Sequence, residues 1–326
     1  MNAPFRFNAA AALAALALVL AAPALAQKLS DRPIFIVVPF TPGTGIDVLA
    51  RIVGEELRQR WNQPVVVENK PGASGNIGTQ GAARAEPDGH TIMMTVNTFV
   101  MNASLYKSLP YDPVRSFTPI VEVATGALAL AVHPSVAAKT VKELIAAAKA
   151  KPGGLSYASS GPGTPYHMAG ELFKAMAGVS ILHIPYKGSS GARSDVLGGQ
   201  VDLMFDAVPT MSEHIRAGKV KALGTTGTAR SAVLPDVPTI AEADVAGYEA
   251  TIWLGLMAPK NTPAAIVSKL NAEVVKIVSN PDVVKAWKAQ GASPMPMSVV
   301  EFTRYLDQDI VKWAHIVKVS GAKPEQ

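Results

Sequence analysis

The chain of 326 residues has no cysteine. That excludes a disulfide framework, a thiolate metal site, a cysteine nucleophile and a lipid-bearing cysteine behind a leader. Charged residues are scarce at 17% and aromatic residues at 6%. The charges nearly cancel, since 30 Lys and Arg against 25 Asp and Glu leave a net +5. The cations are scattered, whereas a nucleic-acid binder gathers them into a patch or stripe, so no nucleic-acid partner is expected. Nucleotide signatures are missing too. Gly43-Thr44-Gly45 has Val48 where a third glycine would complete the dinucleotide fingerprint, and no phosphate-loop lysine motif occurs. Neither a GxSxG elbow nor an HExxH helix is present. The six histidines (His90, His133, His167, His183, His214 and His315) show no metal-binding spacing. Neither a metal nor a cofactor is expected, and catalytic residues are hard to find.

Hydrophobic residues make up 48% of the chain, which excludes a disordered polymer and provides for about two domains. Residues 1–26 read as a signal peptide. Met1–Asn8 carries one cation, Arg6; Ala9–Ala22 is unbroken apolar sequence; and Ala24-Leu25-Ala26 places small residues before Gln27, where cleavage is expected. The alternative is a membrane anchor. The apolar core is short for a bilayer of roughly 30 Å, and Pro23 interrupts it. An exported, soluble mature chain is therefore expected.

Beyond the leader, strands and helices alternate. Ile34–Val38, Pro64–Glu68, Thr91–Val96, Leu155–Ala158, Val201–Phe205 and Val220–Thr225 read as strands. Ile46, Leu49, Ala50, Val53 and Leu57 recur at helical spacing, as do Met168, Ala169, Leu172, Phe173 and Met176. Thr140 to Glu143 fits a capping box opening a helix. Ala264–Ser279, Pro281–Gln290 and Val299–Val319 are expected helices. The alternation indicates an α/β protein with largely parallel sheets. Trp253 and Trp287 are expected in the core.

Two strand–loop–helix units have loops of similar chemistry, Val37–Asp47 and Tyr157–His167. Each holds two glycines, proline and hydroxyl residues just ahead of a helix. A glycine-rich turn admits close approach, and the helix start behind it offers unpaired N–H groups and the positive end of a dipole. Such a site binds an anion without Arg or Lys, at about 1.5–3 kcal/mol gross per charged hydrogen bond. Each loop taken singly is also an ordinary α/β turn. Asp47 either favours the helix dipole or fixes its loop through backbone N–H groups. His167 follows the second loop as a ligand-side or packing residue. Asp206, ending a strand, either faces the cleft to read an amine or hydroxyl or is a solvated strand end.

The sequence resembles the periplasmic solute-binding proteins of tripartite tricarboxylate transporters, also called Bug receptors. The carrying segments include Val38-Pro39-Phe40-Thr41-Pro42-Gly43 with Asp47, Val65–Ala73, Pro87-Asp88-Gly89-His90-Thr91 and Leu109-Pro110-Tyr111-Asp112-Pro113. The second loop through His167, Ile184-Pro185-Tyr186-Lys187-Gly188, Leu197–Asp202, Met204-Phe205-Asp206 and Leu234–Thr239 follow in order. The resemblance implies a type II periplasmic-binding-protein fold, two α/β lobes around a ligand cleft: 27–126 plus 231–326, and 127–230. It implies a non-enzymatic periplasmic receptor, expected as a monomer, that captures a small carboxylate and hands it to a permease of one large and one small membrane subunit. The implied site is Phe40, Gly43, Thr44, Gly45, Asp47, Thr98, Ser160, Gly161, Gly163, Thr164, Tyr166, His167 and Asp206.

Departures from the family pattern shape the expected ligand. Thr44 stands where a second glycine is usual. Pro162 and Pro165 have no N–H, leaving Ser160, Gly161, Gly163 and Thr164 as donors. Tyr166 is bulky, Ala207 replaces a frequent Asn, and Asn97-Thr98-Phe99 is more apolar than usual. The distal pocket is therefore expected to favour an apolar or aromatic body. The rival readings are a sensory receptor docking on a membrane kinase and a secreted hydrolase using Ser160 with His167.

Overall fold

The computed structural model describes residues 29, 32–289 and 292–322; the expected signal peptide lies outside them. The hydrophobic run Ile34–Val38 forms β1, and Val65–Asn69 and Thr91–Val96 form β2 and β3 on either side of it, both parallel. Four of the five β1 residues are buried, as a strand enclosed on both faces requires. The first helix, α1 (Gly45–Trp61), covers this sheet with Ile46, Leu49, Ala50, Val53 and Leu57. It ends where Asn62 adopts a left-handed conformation and donates its N–H back to Arg58 O. α2 (Asn76–Ala83) and α3 (Thr98–Leu105) follow β2 and β3.

The chain then crosses to a second sheet. β4 (Phe117–Gly126) belongs to the first and β5 (Leu128–Val132) to the second, separated by Ala127 alone. The second lobe continues through α4 (Val141–Ala150), β6 (Ser156–Ser159), α5 (Pro165–Ala177), β7 (Leu182–Pro185), α6 (Ser189–Leu197), β8 (Leu203–Ala207), α7 (Val208–Arg216) and β9 (Lys221–Thr225). The chain returns through β10 (Ile252–Pro259), then α8 (Ala264–Val278), α9 (Pro281–Ala289), β11 (Ala292–Pro294) and α10 (Val299–Ser320). Strand order is β11-β4-β10-β3-β1-β2 in one lobe and β7-β6-β8-β5-β9 in the other.

The expected two α/β lobes are present, but the sheets are mixed rather than largely parallel. β10, the strand of return, lies antiparallel between β3 and β4. β5, the strand of entry, lies antiparallel between β8 and β9. Each crossing strand fills an interior slot of the sheet it joins, which alternation of elements cannot reveal. The stretch 231–250, expected with the first lobe, packs on the second. Ile240 N–H donates to Thr225 O at 2.8 Å, and the Tyr248 hydroxyl donates to Ala169 O at 2.8 Å.

α10 binds the lobes together, packing on α3 and β4 of one and α5 of the other. Trp253 is fully buried beside it and donates Nε1–H to Asp309 Oδ2 at 2.7 Å; Trp287 is also fully buried. α10 opens with a capping box between Ser298 and Glu301. The one expected at Thr140 is half formed: Thr140 accepts the Glu143 N–H, but Glu143 takes the N–H of Lys139 instead.

Candidate ligand-binding site

The first loop leaves β1 at its carboxyl end. Gly43 sits at φ +77°, where a side chain would be strained, and its N–H donates to Asp47 Oδ2 at 2.8 Å. Thr44 is the N-cap of α1, yet its hydroxyl turns back to donate to Thr41 O at 2.9 Å. The first turn is therefore uncapped. Among the described residues, the N–H groups of Thr44, Gly45 and Ile46 have no acceptor. Asp47 is buried and also accepts from Asn69 Nδ2 and from Arg51, each at 3.0 Å. Burial raises its carboxyl pKa, but Arg51, the Gly43 N–H and Asn69 outweigh this and hold it below its ordinary range. Asp47 is thus the brace of its loop. The ring of half-buried Phe40 lies against Gly75, and its carbonyl accepts from Asn69 at 3.1 Å.

The second loop repeats this construction. Pro42-Gly43-Thr44 recurs as Pro162-Gly163-Thr164. Gly163 sits at φ +74°, and its N–H donates to His167 Nδ1 at 3.1 Å, the same four-residue step as Gly43 to Asp47. The Thr164 hydroxyl donates back to Gly161 O at 2.7 Å, matching Thr44 to Thr41. Differences follow at the helix start. Thr164 also accepts from His167 N–H at 3.4 Å, Gly161 N–H donates to Ser159 Oγ at 3.1 Å, and Thr164 N–H donates to Gly161 O at 3.3 Å. Pro165 has no N–H. Of the amides expected to face a ligand, those of Gly43, Gly161, Gly163 and Thr164 are thus consumed within their own loops. Those of Thr44, Gly45 and Ser160 are unpaired among the described residues, as are those of Ile46 and Tyr166, which the donor reading of the loops did not include.

Behind the second loop lies a buried stack. The His167 and His183 rings stack at 4.2 Å, His183 and Tyr157 at 4.8 Å, and Ser159 Oγ meets His183 Nε2 at 2.7 Å. Tyr157 OH and Lys174 Nζ both donate to Glu171, at 2.5 and 2.6 Å. Burial, with Lys174 nearby, pushes His167 down to about 4. Burial and His167 push His183 down to about 3. Both rings are neutral at pH 7, and His167 serves as a hydrogen-bond acceptor for its loop. No hydrogen bond joins Ser160 to His167 among the described residues. In the second loop the serine that meets a histidine is Ser159, fully buried, and its partner is His183.

The two loops are brought together by a turn that the sequence reading did not single out. Gly72, Ala73, Ser74 and Gly75 all have positive φ, at 129°, 47°, 52° and 87°. Left-handed geometry costs a non-glycine residue roughly 1–2 kcal/mol, so the surroundings must impose it at Ala73 and Ser74. Asn102 Nδ2 donates to Ser74 O at 3.1 Å, and Ser74 Oγ donates across the lobes to Pro162 O at 3.3 Å. With Phe40 packed on Gly75, this turn touches both loops. The only advance signal was the pair of glycines after Pro71. On the same side, Thr98 Oγ1, Asn97 Oδ1 and Asn102 Oδ1 are buried without a hydrogen-bond partner.

Asp206 is neither a solvated strand end nor free to read an amine. It is fully buried and accepts from Arg193 Nε and Ala207 N–H, both at 2.8 Å. Burial pushes its carboxyl up, opposed by Arg193 and the Ala207 N–H. Tyr166 lies beside the pair, its pKa raised by burial and by Asp206. Two arginines nonetheless stand close to the loops, Arg51 paired with Asp47 and Arg193 paired with Asp206.

The family model described as the tripartite tricarboxylate transporter family receptor matches residues 49–322. A protein from the tcbD-tcbE intergenic region of Pseudomonas sp. strain P51 is 43% identical over 270 residues, covering 82% of this chain and 80% of that one. Protein BugT of Bordetella pertussis is 36% identical over 306 residues, covering 93% and 94%. The solved structure of Rpa4515 from R. palustris with adipate superposes with a TM-score of 0.83 at 34% identity, covering 90% of this chain and 99% of that one. The chain therefore belongs to the tripartite tricarboxylate transporter family of receptors, the solute-binding proteins that capture carboxylates for transport.

Proposed function

We propose that this receptor grips one carboxylate between the unpaired amides of its two glycine-rich loops and the helix starts behind them, Thr44, Gly45 and Ile46 from one lobe and Ser160 and Tyr166 from the other. The observation that carries the reading is the repetition itself. The same turn occurs at a strand's carboxyl end in each lobe, the two are linked through the Gly72–Gly75 turn, and each leaves amides unspent. Five such bonds, at about 1.5–3 kcal/mol each before desolvation, give a gross range that brackets the roughly 8 kcal/mol of micromolar binding. A ligand that touches both lobes favours the arrangement in which they meet.

In this reading Phe40 walls the pocket, Thr98 offers its unpaired hydroxyl to the ligand body, and Asp47 and His167 hold the loops without touching the ligand. The protein works as an exported periplasmic monomer, turns over no substrate, and delivers its ligand to a permease of one large and one small membrane subunit. Calorimetry of the purified chain with adipate, succinate, citrate, benzoate and glucose tests it. Binding of at least one acid, with no heat from glucose and no conversion of the acid on prolonged incubation, is expected. Binding of glucose with silence from every acid would overturn it.

A further inference from the structure

The second lobe carries a cation whose remaining donors have no acceptor among the described residues. β7, β6 and β8 are adjacent and parallel, so their carboxyl ends open on one edge, the edge of the second loop. Tyr157 pairs with Leu203 and Ala158 with Met204, which brings Asp206 level with Ser160 and its unpaired amide. Arg193, in the second turn of α6, reaches this edge and donates Nε–H to Asp206. Its side chain keeps 17% of its surface exposed while that of Asp206 keeps none. The acid is sealed, and the outer rim of the guanidinium is not. Among the described residues, the two terminal guanidinium nitrogens have no acceptor. The Tyr166 hydroxyl, beside the same pair, has no partner either, and its raised pKa keeps it a donor.

A guanidinium fixed through Nε presents its terminal N–H groups as a planar fork, which matches a carboxylate in two parallel hydrogen bonds. An apolar ligand end lying over it would strip water from those donors and return nothing. We propose that Arg193, positioned by Asp206 and assisted by the Tyr166 hydroxyl, reads a second acid group on the ligand, so that the receptor selects diacids over monoacids of equal length. This rests on the carboxylate reading above and reverses the expectation of an apolar distal pocket.

The test is the affinity ratio between adipate and hexanoate, measured by calorimetry. One charge-assisted pair implies a ratio of about tenfold or more for the unaltered protein. Arg193→Met alone would strand a buried carboxylate, so the decisive variant is Arg193→Met with Asp206→Asn, checked for an intact melting transition. There the ratio should fall to within about threefold of unity, with Arg193→Lys in between, since ammonium keeps the charge and loses the fork. A ratio near one in the unaltered protein, or a ratio preserved in the double variant, would overturn the assignment of Arg193 while leaving carboxylate capture standing. Failure of both acids to bind the unaltered protein, together with silence from the wider acid panel, would remove the carboxylate reading itself and this inference with it.

Discussion

The two Pro-Gly-Thr loops share a backbone and differ in what holds it. The first uses an anion: Asp47 accepts the Gly43 N–H and is balanced by Arg51, whose side chain is half exposed. The second uses a neutral ring, and His167 accepts the Gly163 N–H from within a buried stack. The surroundings account for the choice. Both acceptors are buried, but Asp47 has the half-exposed Arg51 as its own cation, whereas His167 is enclosed by His183 and by Glu171, whose cation is Lys174. A buried charge needs a partner of its own, while a buried imidazole needs only its hydrogen bonds. One turn geometry can thus be held by either acceptor, with the local environment deciding between them.

The largest effect should come from exchanging the braces. His167→Asp places a carboxylate beside Glu171, whose cation Lys174 is already engaged. A loss of about 3 kcal/mol or more in urea unfolding is expected, as for other uncompensated buried charges. Asp47→Asn keeps one acceptor and should cost about 1 kcal/mol.

Alanine at the matching glycines should separate the loops again. A Cβ on Gly163 would meet Leu105 Cδ2 at 2.5 Å and Asn102 Oδ1 at 3.2 Å, both on the opposite lobe, whereas one on Gly43 would meet nothing within 4 Å. Strain at positive φ adds roughly 1–2 kcal/mol to both, and overpacking adds a further 1–3 kcal/mol to Gly163→Ala alone. In calorimetry Gly163→Ala should weaken adipate binding at least about tenfold more than Gly43→Ala does.

Gly45→Pro makes the first loop copy the second, which has Pro165 at that position. Proline is tolerated at a first helical position, so the fold should persist while one donor is lost and affinity falls about tenfold.

The two braces also part in their response to pH. His167 is neutral in the fold down to about 4 but charges near 6.5 when unfolded, so the unfolded state binds more protons between those values. Its contribution is complete above about pH 6.5 and is lost as pH falls towards 4, by at most ~1.4 kcal/mol per pH unit. Asp47, with a lowered pKa, keeps its contribution above about pH 4 and loses it only below. The melting temperature of His167→Gln should therefore gain on the unaltered protein between pH 7 and 4.5, and that of Asp47→Asn should show no such trend.

Much of this was legible in the sequence because it rests on local rules. β1 and β3 follow from hydrophobic runs, α1 from its spacing, and the loop positions from glycine and proline at strand ends. What stayed hidden depends on contacts distant in the chain. Whether an amide is spent or free is decided by where Asp47, Ser159 and His167 turn their side chains. Arg193 lies 13 residues from Asp206 and meets it only because α6 packs over β8. The antiparallel strands β5 and β10 take their slots from the double crossing between lobes. The repeated Pro-Gly-Thr was visible throughout, but only the matched φ angles and four-residue hydrogen bonds give its register meaning.

The most direct test is an amide nitrogen–proton NMR titration with adipate. The amides of Thr44, Gly45, Ile46, Ser160 and Tyr166 should shift together along one binding isotherm, while those of Gly43 and Gly163, already bonded to Asp47 and His167, move little. Shifts confined to one loop, or centred on Gly43 and Gly163 instead, would contradict capture by the free amides of both lobes.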